Sequence, residues 1–305
     1  MRVVIALGGN AILKRGEVMS AQNQRINVKR AVVAIKKVID AGHEVIITHG
    51  NGPQVGLLAL QGLAYDASIA SPLDVLIAQT QGMIGFWIAQ ELSNILGLDR
   101  EVATLLTQIE VDANDVAFQN PTKPVGPVYD AQTSSALAAK YGWNIVADGS
   151  HFRRGVASPA PKRILELNII QSLVKQKVIV ICAGGGGIPV VKEADGDFTG
   201  IEAVIDKDFA SALLAAEIKA DALLLLTDVD GVYLGWGTNH QNQIRQITAE
   251  EIKTHSFASG SMAPKVQASI NFLAAGGKIA NIGKMEQALE ILNGHVGTNI
   301  TSGVS

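Results

Sequence analysis

Short apolar runs rich in β-branched residues alternate with segments of helical period along most of the chain. The first run, at residues 2–7, is followed by a helical segment at 21–42 that places Val28, Val32 and Ile35 on one face. Nearly continuous Val, Ile and Leu strands separated by helices are typical of a mainly parallel sheet covered on both faces. This alternation predicts an α/β fold.

The same reading predicts the positions of the individual elements. Strands are expected at residues 2–7, 44–49, 102–111, 178–183, 222–234 and 278–283, with a short terminal strand. Helices are expected at residues 21–42, 53–65, 72–97, 164–175, 208–220, 264–277 and 285–294. Thr248 and Glu251 have the spacing of a capping box.

Composition excludes several classes of protein. A net charge of −3, with scattered lysines and arginines, provides no basic stripe for a nucleic acid backbone. No apolar run approaches the ~20 residues needed to cross a bilayer, and the N-terminal run does not have the features of a signal peptide. We therefore expect a cytoplasmic protein. The one cysteine, Cys182, ends an apolar run and is expected to be buried and unreactive.

One long segment interrupts the alternation. Residues 111–161 contain five prolines and many polar residues, with one short helix expected near residues 134–142. Such a segment inside a compact domain is often a functional loop, a lid or an inserted subdomain. An ordinary surface excursion remains an equal alternative on these grounds.

Glycines cluster directly after three of the predicted strands, at residues 8–10, 50–52 and 184–187. The carboxyl ends of parallel strands are where ligands bind in open sheets. Glycine lets the backbone approach a ligand closely, and a following helix directs free N–H groups toward an anion. One such loop is readily explained as a turn, but three together favour an anion-binding site.

Familiar nucleotide and catalytic motifs do not explain these glycines. The phosphate-binding pattern GxxxxGK[ST] and the dinucleotide pattern GxGxxG are both missing from the sequence. The histidines do not have metal-ligand spacing, and no GxSxG motif occurs. His49 follows a strand, and a structural, hydrogen-bonded role is expected for it.

Charged residues stand at the starts of two predicted helices. Asp206, Lys207 and Asp208 precede an apolar helix, and Lys265 lies in the first turn of another. Lysine at this position opposes the helix dipole unless an anion or a carboxylate is near. A solvated helix end is the alternative. Phosphoryl transfer needs positioned cations and N–H donors, and these residues supply them.

Seven strings, taken in order, resemble those of carbamate kinases in the amino-acid kinase family: ALGGNA, HGNGPQVG, PTKPVGPVY, CAGGGGIPV, EAVIDKD, LLTDVDGVY and SMAPKV. The resemblance extends from Val3 to the last strand and includes the insert. It implies a three-layer αβα sandwich with a mainly parallel central sheet and a protruding subdomain. It also implies the reversible reaction of ATP and carbamate to ADP and carbamoyl phosphate, with Mg²⁺.

The resemblance further implies how the chain is organised. Residues 1–305 are expected to form one domain, with a carbamate-binding lobe at about 1–200 and a nucleotide-binding lobe at about 201–305. The insert, at about 111–161, would be a lid. The family is typically a homodimer, and the apolar segment at 72–97 is either core or interface.

Site residues are carried over position by position. Lys207 and Lys265 would neutralise the phosphoryl oxygens as exposed side chains, Asp208 would orient both lysines, and Lys123 would be lowered with the lid. The carbamate and the phosphoryl group would be held by Gly8, Gly9, Asn10, Gly50, Asn51 and Gly52. The nucleotide would be held by Thr227, Asp228, Val229, Tyr233 and Met262.

Three further expectations follow from the resemblance. The side chains show no metal motif, so Mg²⁺ would be bound through the ATP phosphates, with Asp208 as a possible ligand. The family often has glycine where this chain has Ala263, whose methyl group is expected close to the ATP phosphates. A kinase of the same fold acting on another small acid, or a nucleotide sensor without catalysis, remains the alternative function.

Overall fold

The computed structural model describes residues 1–14, 16–258 and 260–303, apart from the side chain of Asn10. The helices are α1 Ala21–Asp40, α2 Gly52–Tyr65, α3 Leu73–Leu96, α4 Ala131–Tyr141, α5 Leu167–Lys175, α6 Lys207–Glu217, α7 Ala249–Ile252, α8 Met262–Ala274 and α9 Ala288–Leu292. The strands up to the middle of the chain are β1 Arg2–Leu7, β2 Glu44–His49, β3 Val102–Thr104, β4 Gln108–Glu110, β5 Lys123–Tyr129, β6 Asn144–Asp148, β7 His151–Val156, β8 Arg163–Ile164 and β9 Ile179–Ile181. The remaining strands are β10 Ile188–Lys192, β11 Phe198–Gly200, β12 Ala222–Thr227, β13 Val232–Leu234, β14 Asn242–Ile244, β15 Gln246–Thr248, β16 Ile279–Lys284 and β17 Thr298–Thr301.

The central sheet runs through both halves of the chain. Across the described residues its order is β15-β17-β16-β12-β1-β2-β9-β3. All neighbouring strands in it pair in parallel except β16 and β17, which are antiparallel. Because β1 lies between β12 and β2, strands from the first and last thirds of the chain share one sheet.

Helices cover both faces of this sheet. Alternate residues of β1 point to opposite faces, as the pleat of a strand requires. Val4 and Ala6 pack with residues of α5, α6 and α8, whereas Val3, Ile5 and Leu7 pack with residues of α1, α3 and α9. The result is the expected α/β fold, a three-layer αβα sandwich with a mainly parallel central sheet.

The insert contains a sheet of its own. Strands β5, β7 and β6 form an antiparallel sheet, with α4 before β6. The short helix expected at 134–142 is confirmed as Ala131–Tyr141. The strands were not predicted, because Pro124 and Pro127 argue against a strand interior. They are tolerated here because β5 is an edge strand that pairs only with β7 among the described strands.

Two predicted strands prove to be two strands each. The segment 102–111 leaves the central sheet after Thr104 and joins a second sheet at Gln108, where β4 pairs with β10. The segment 222–234 breaks at a turn between β12 and β13. Both predictions of one continuous strand are therefore wrong. The helix expected from residue 164 begins at Leu167, because Arg163–Ile164 pairs with β4.

Several local expectations are confirmed. Thr248 and Glu251 form a complete capping box at α7. Trp87 on α3 is buried, while its neighbour Phe86 is exposed, so the two faces of this helix differ. Cys182 is buried, and burial raises the pKa of its thiol to about 12. Within the described residues, no helix combines the length and apolarity that crossing a membrane requires.

Candidate active site

The carboxyl ends of three neighbouring strands, β1, β2 and β9, meet at one edge of the central sheet, and the three glycine clusters follow them. A cleft of about 550 Å³ opens at this edge. The predicted residues that line it are Gly8, Gly9, Gly50, Asn51, Gly52, Lys123, Lys207, Asp208, Thr227, Asp228 and Lys265. The structure thus brings together residues from the first loop, the insert and both halves of the chain.

Two lysines and one carboxylate form the charged centre of the cleft. Lys207 and Asp208 are the first two residues of α6, and Lys265 lies in the first turn of α8. Lys207 Nζ donates to Asp208 Oδ1 at 2.7 Å, and Lys265 Nζ donates to Oδ2 at 3.0 Å. Each carboxylate oxygen therefore holds one ammonium group.

These lysines are not exposed, contrary to the sequence-based expectation. Their side chains are 14% and 9% exposed, and that of Asp208 is 4% exposed. The reason is packing: the aliphatic part of Lys207 lies against Gly50, where an added Cβ would be 3.2 Å from Lys207 Cδ. Removing either partner would leave a buried charge, so these residues contribute to stability as well as to chemistry.

The charges of the centre depend on one another. Burial opposes ionisation of Asp208, but Lys207 and Lys265 outweigh it and hold its pKa below the usual range. Burial also opposes the charged form of Lys207, yet Asp208 and Asp206 raise its pKa. For Lys265, burial together with the neighbouring Lys207 lowers the pKa despite the opposing effect of Asp208. The pKa of Lys265 is therefore lower than that of Lys207.

The insert contributes a third lysine to the cleft. Lys123 is the first residue of β5, and its ammonium group forms an ion pair with Asp206. Asp206 is the N-cap of α6, where its Oδ1 accepts from the backbone N–H of Asp208 at 2.8 Å. The insert is thus in contact with the same helix terminus that carries Lys207 and Asp208.

The glycine loops are built by close backbone packing. Gly8 N donates to Leu226 O and Gly50 N donates to Leu7 O, each at 3.0 Å, so these two N–H groups connect neighbouring strand ends. The sequence predicted that these N–H groups face an anion, but both are already bonded to carbonyl oxygens of the strands. A Cβ on Gly8 would lie 2.9 Å from Leu226 O. Gly52 begins α2, whose first N–H groups have no partner within the helix.

The two predicted asparagines differ in what can be said of them. Asn51 is buried, and its Nδ2 donates to Thr80 Oγ1 at 2.8 Å, which uses one of the two N–H groups of the amide. Gly185 packs directly on this amide, with a φ of +67° that favours glycine. Asn10 lies in the short helix Gly9–Ala11, and its side chain is outside the described residues.

His49 has the structural role expected from the sequence. Its ring is buried beside Gly184, and Nδ1 lies 3.1 Å from the carbonyl oxygen of Gly50. Burial lowers its pKa to about 4, so the ring is neutral at physiological pH. It supports the second glycine loop from below and does not line the cleft.

The predicted nucleotide residues divide into two groups. Thr227 and Asp228 line the cleft, and Thr227 Oγ1 donates to Asp228 Oδ1 at 3.0 Å. Val229, Tyr233 and Met262 do not line it. Tyr233 instead donates its hydroxyl to Asp230 Oδ1 at 2.8 Å.

The structure also shows where Ala263 lies, the residue at which the resembling family often has glycine. Ala263 does not line the cleft, whereas Gly260, Ser261 and Pro264 do.

Sequence reasoning missed two cations that line the cleft, Lys14 after β1 and Arg153 on the insert. Arg153 on β7 lines it, and its Nε donates to the carbonyl oxygen of Gly126 on β5 at 3.0 Å. Its guanidinium group also lies 3.6 Å from Asp148. The only signal for Arg153 was a pair of arginines inside the unusual insert, and no periodicity predicted that β7 would face the cleft.

The side chains that the structure describes do not form a magnesium site on their own. Among the described residues, no group of three or more His, Cys, Asp or Glu side chains could hold a metal ion. Asp208, named from sequence as a possible ligand, has an ammonium group against each oxygen, and these charges would repel a divalent cation. The donor set is suited to binding anionic phosphates.

Comparisons with known proteins agree over nearly the whole chain. The sequence profile described as the Amino acid kinase family matches residues 1–282. The chain is 52% identical to a carbamate kinase of Rhizobium meliloti (strain 1021), covering 100% of this chain and 94% of that protein. It is also 52% identical to a carbamate kinase of Haemophilus influenzae, covering 99% of this chain and 97% of that protein.

A solved structure agrees with these sequences. Carbamate kinase from Giardia lamblia bound to AMP-PNP is similar with a TM-score of 0.88 and 41% identity, covering 98% of each chain. Because the match covers 98% of this chain, it extends over most of the insert. The chain therefore belongs to the amino acid kinase family, and the three relatives named above are carbamate kinases.

Proposed function

We propose that the protein is a carbamate kinase, which transfers a phosphoryl group reversibly between ATP and carbamate to give ADP and carbamoyl phosphate. The observation that carries this proposal is the pair of largely buried lysines, Lys207 and Lys265, held by Asp208 between the glycine loops and the loop after β12. Full-length similarity to carbamate kinases supports the choice of acceptor.

The two substrates enter from opposite sides of this charged centre. We assign carbamate to the lobe formed by about residues 1–200, where Gly9 and Gly52 begin helices at the cleft. We assign the nucleotide to about residues 201–305, next to Thr227 and Asp228. The relative bound to AMP-PNP supports nucleotide binding in this fold. The phosphoryl group then passes between the lobes, in front of the lysines.

Each charged residue has a separate task in this transfer. The transition state carries charge on the phosphoryl oxygens, and cations fixed in a site with little water stabilise that charge strongly. Lys207 and Lys265 supply these cations. Asp208 keeps both ammonium groups in place and does not accept a proton from them, because its pKa is held low. Lys123 on the insert adds a third cation, and closure of the insert over the cleft excludes water from the labile carbamoyl phosphate.

Magnesium would enter with the nucleotide, bound to its phosphates, and would neutralise part of their charge. The proposed nucleotide contacts also include Val229 and Tyr233, which follow β12, and Met262, which begins α8; these residues reach the cleft only if both segments move on binding. We further propose a homodimer in the cytoplasm, acting in the catabolism of arginine, agmatine or a ureide in the direction of ATP synthesis. The exposed Phe86 on α3 is available for the dimer contact.

The test is a panel of phosphoryl acceptors and donors offered to one preparation. With ADP and Mg²⁺, carbamoyl phosphate is expected to give ATP far faster than acetyl phosphate or an aminoacyl phosphate does. With ATP, carbamate is expected to be preferred over acetate, amino acids and phosphonates. Turnover of another acid with none of carbamoyl phosphate would overturn the acceptor assignment. ADP binding without any turnover would indicate a nucleotide sensor.

A further inference from the structure

Asp206 connects the insert to the helix that carries the charged centre. Its Oδ1 accepts from the backbone N–H of Asp208, while its Oδ2 faces the ammonium group of Lys123. The side chain of Asp206 is 10% exposed and that of Lys123 is 27% exposed, so the pair is partly shielded from water. Burial opposes ionisation of Asp206, but Lys123 outweighs it and the pKa stays below the usual range.

The strand that carries Lys123 is seated firmly on the body of the protein. Val125 is buried in a cluster with Val55, Leu73 and Val204. Side chains two residues apart in a strand share a face, so Lys123 points to the same side as Val125, toward the body. The direction of Lys123 is therefore set by the packing of β5.

Backbone contacts reinforce this seat. A Cβ on Gly56 of α2 would lie 1.8 Å from Gly126 Cα, so the two backbones touch without side chains between them. Gly126 has a φ of +77°, which favours glycine. Val204 N also donates to Ala157 O at 2.9 Å, next to the exit of the insert. These contacts hold the backbone of β5, whereas the flexible side chain of Lys123 is held at its ammonium group by Asp206.

We propose that Asp206 is a positioning residue for the phosphoryl transfer, which holds Lys123 over the cleft so that its remaining N–H donors meet the transferring phosphoryl group. The proposal rests on the proposed function and adds a residue to it. A lysine ammonium group has three N–H donors, and contact with one carboxylate leaves donors for an anion. Holding a long side chain before the substrate arrives removes an ordering cost from the bound state.

The arrangement repeats the logic of the charged centre. Asp208 holds Lys207 and Lys265, and Asp206, two residues earlier, holds the lysine of the insert. Both carboxylates lie at the start of α6, so one helix terminus fixes all three cations. Without Asp206, the backbone of Lys123 would stay in place, but its ammonium group would no longer be fixed over the cleft.

The competing explanation is that Asp206 serves only as a helix cap. Two variants separate the roles. Asp206→Asn keeps the size and the Oδ1 acceptor but removes the charge, and Asp206→Ser keeps an N-cap oxygen but shortens the reach to Lys123. Both are expected to fold, with a smaller fall in Tm than Asp208→Asn because Lys123 is 27% exposed, while kcat/KM for carbamoyl phosphate falls roughly 10- to 100-fold. The KM for ADP should change less than twofold, because Lys123 acts on the phosphoryl side.

A matched control is available in the insert itself. Asp130 is the N-cap of α4, where it accepts from Thr133 N at 2.7 Å. It forms none of the ion pairs seen among the described residues. Asp130→Asn should leave kcat/KM unchanged. An equal loss in Asp130→Asn and Asp206→Asn would show a general effect of altered caps and overturn the proposal.

The decisive experiment is a double-mutant cycle with Lys123→Ala. If Asp206 acts through Lys123, adding Asp206→Asn to Lys123→Ala lowers kcat/KM no further, whereas a cap alone gives the same loss in both backgrounds and overturns the proposal. NMR of the lysine ammonium groups supplies a readout that needs no activity: the signal of Lys123, assigned by its loss in Lys123→Ala, should shift in Asp206→Asn and stay unchanged in Asp130→Asn, and an unchanged signal in Asp206→Asn would overturn the contact. An inactive wild type would contradict the proposed function, while the NMR result would still test Asp206.

Discussion

Replacing Asp208 by asparagine should destabilise the protein strongly, even though the two side chains have the same shape. Asp208 is the partner of two buried ammonium groups, at 2.7 and 3.0 Å. In the variant, Lys207 retains the neighbouring Asp206, but Lys265 loses its only ion-pair partner among the described residues. An uncompensated buried charge is the expected cause of the loss, since packing hardly changes.

The size of the effect follows from known cases. Removing one partner of a buried ion pair costs about 3–5 kcal/mol of unfolding free energy. At ~2.1 cal/mol/K of unfolding entropy per residue, 305 residues give ~0.64 kcal/mol/K, so Tm should fall by roughly 5–8 °C. The rate should fall as well, by about 10²-fold or more, because the lysines lose their fixed positions.

The loss should depend on pH in a defined direction. Burial already lowers the pKa of Lys265, and without Asp208 it falls further. Between that lowered value and the ordinary lysine pKa of ~10.4, the unfolded chain binds a proton that the native variant does not, so stability of the variant rises with pH. In the wild type, the raised pKa of Lys207 means that its stabilisation is lost only as pH rises through that value. The difference in Tm should therefore narrow from pH 7 toward pH ~10.

Thermal unfolding at several pH values, followed by circular dichroism, measures this directly. Asp112→Asn is the control, because Asp112 pairs with Lys162 at 2.7 Å on the surface and should leave Tm nearly unchanged. A loss in Asp208→Asn no greater than in the control would refute the claim that the centre is a buried ion-pair network. A gap that widens toward high pH would refute the assignment to Lys265.

Three further predictions concern the supports of the site. Gly56→Ala should displace the insert and lower kcat/KM, because the new Cβ would lie 1.8 Å from Gly126 Cα. The control is Gly62→Ala on the same helix, whose Cβ would meet neighbours only at 3.7 Å and which should leave kcat/KM unchanged. Equal kcat/KM in the two variants would contradict the contact between Gly56 and Gly126. Burial lowers the pKa of His49 to about 4, so stability should fall by ~3 kcal/mol as pH drops from 6.5 to 4, and denaturant unfolding of His49→Gln should lack this slope. Cys182 should resist an aromatic disulfide reagent until the protein is unfolded, because it is buried and its pKa is raised to about 12; rapid reaction of the native protein would contradict this.

The sequence predicted the layers of the fold because each layer leaves a local pattern. The run of Val3 to Leu7 and the helical period of α1 report burial on one or both faces, and the structure confirms them. A change of sheet leaves no such pattern. Thr107 lies between β3 and β4, where the chain changes sheet, and its Oγ1 accepts a hydrogen bond from Ala183 N at 2.9 Å. Periodicity alone does not reveal this contact.

The site shows the same division. The glycine clusters marked the edge of the sheet because strand ends and loops are visible in the sequence. The burial of Lys265 is not visible in the sequence, because Lys265 lies on α8 and this helix packs against α6, which is distant in the chain. The contact of Lys123 with Asp206 joins residues 83 positions apart, and local patterns carry no information about such pairs.

The most direct test of the proposed reaction is ATP formation from ADP, Mg²⁺ and carbamoyl phosphate by the wild type and by Lys207→Ala, prepared side by side. Both preparations should bind ADP and show native circular dichroism. The proposal predicts fast ATP formation by the wild type and a loss of about 10²-fold or more in the variant. Equal rates in the two preparations would show that the activity is a contaminant or that the buried lysine centre does not carry the chemistry.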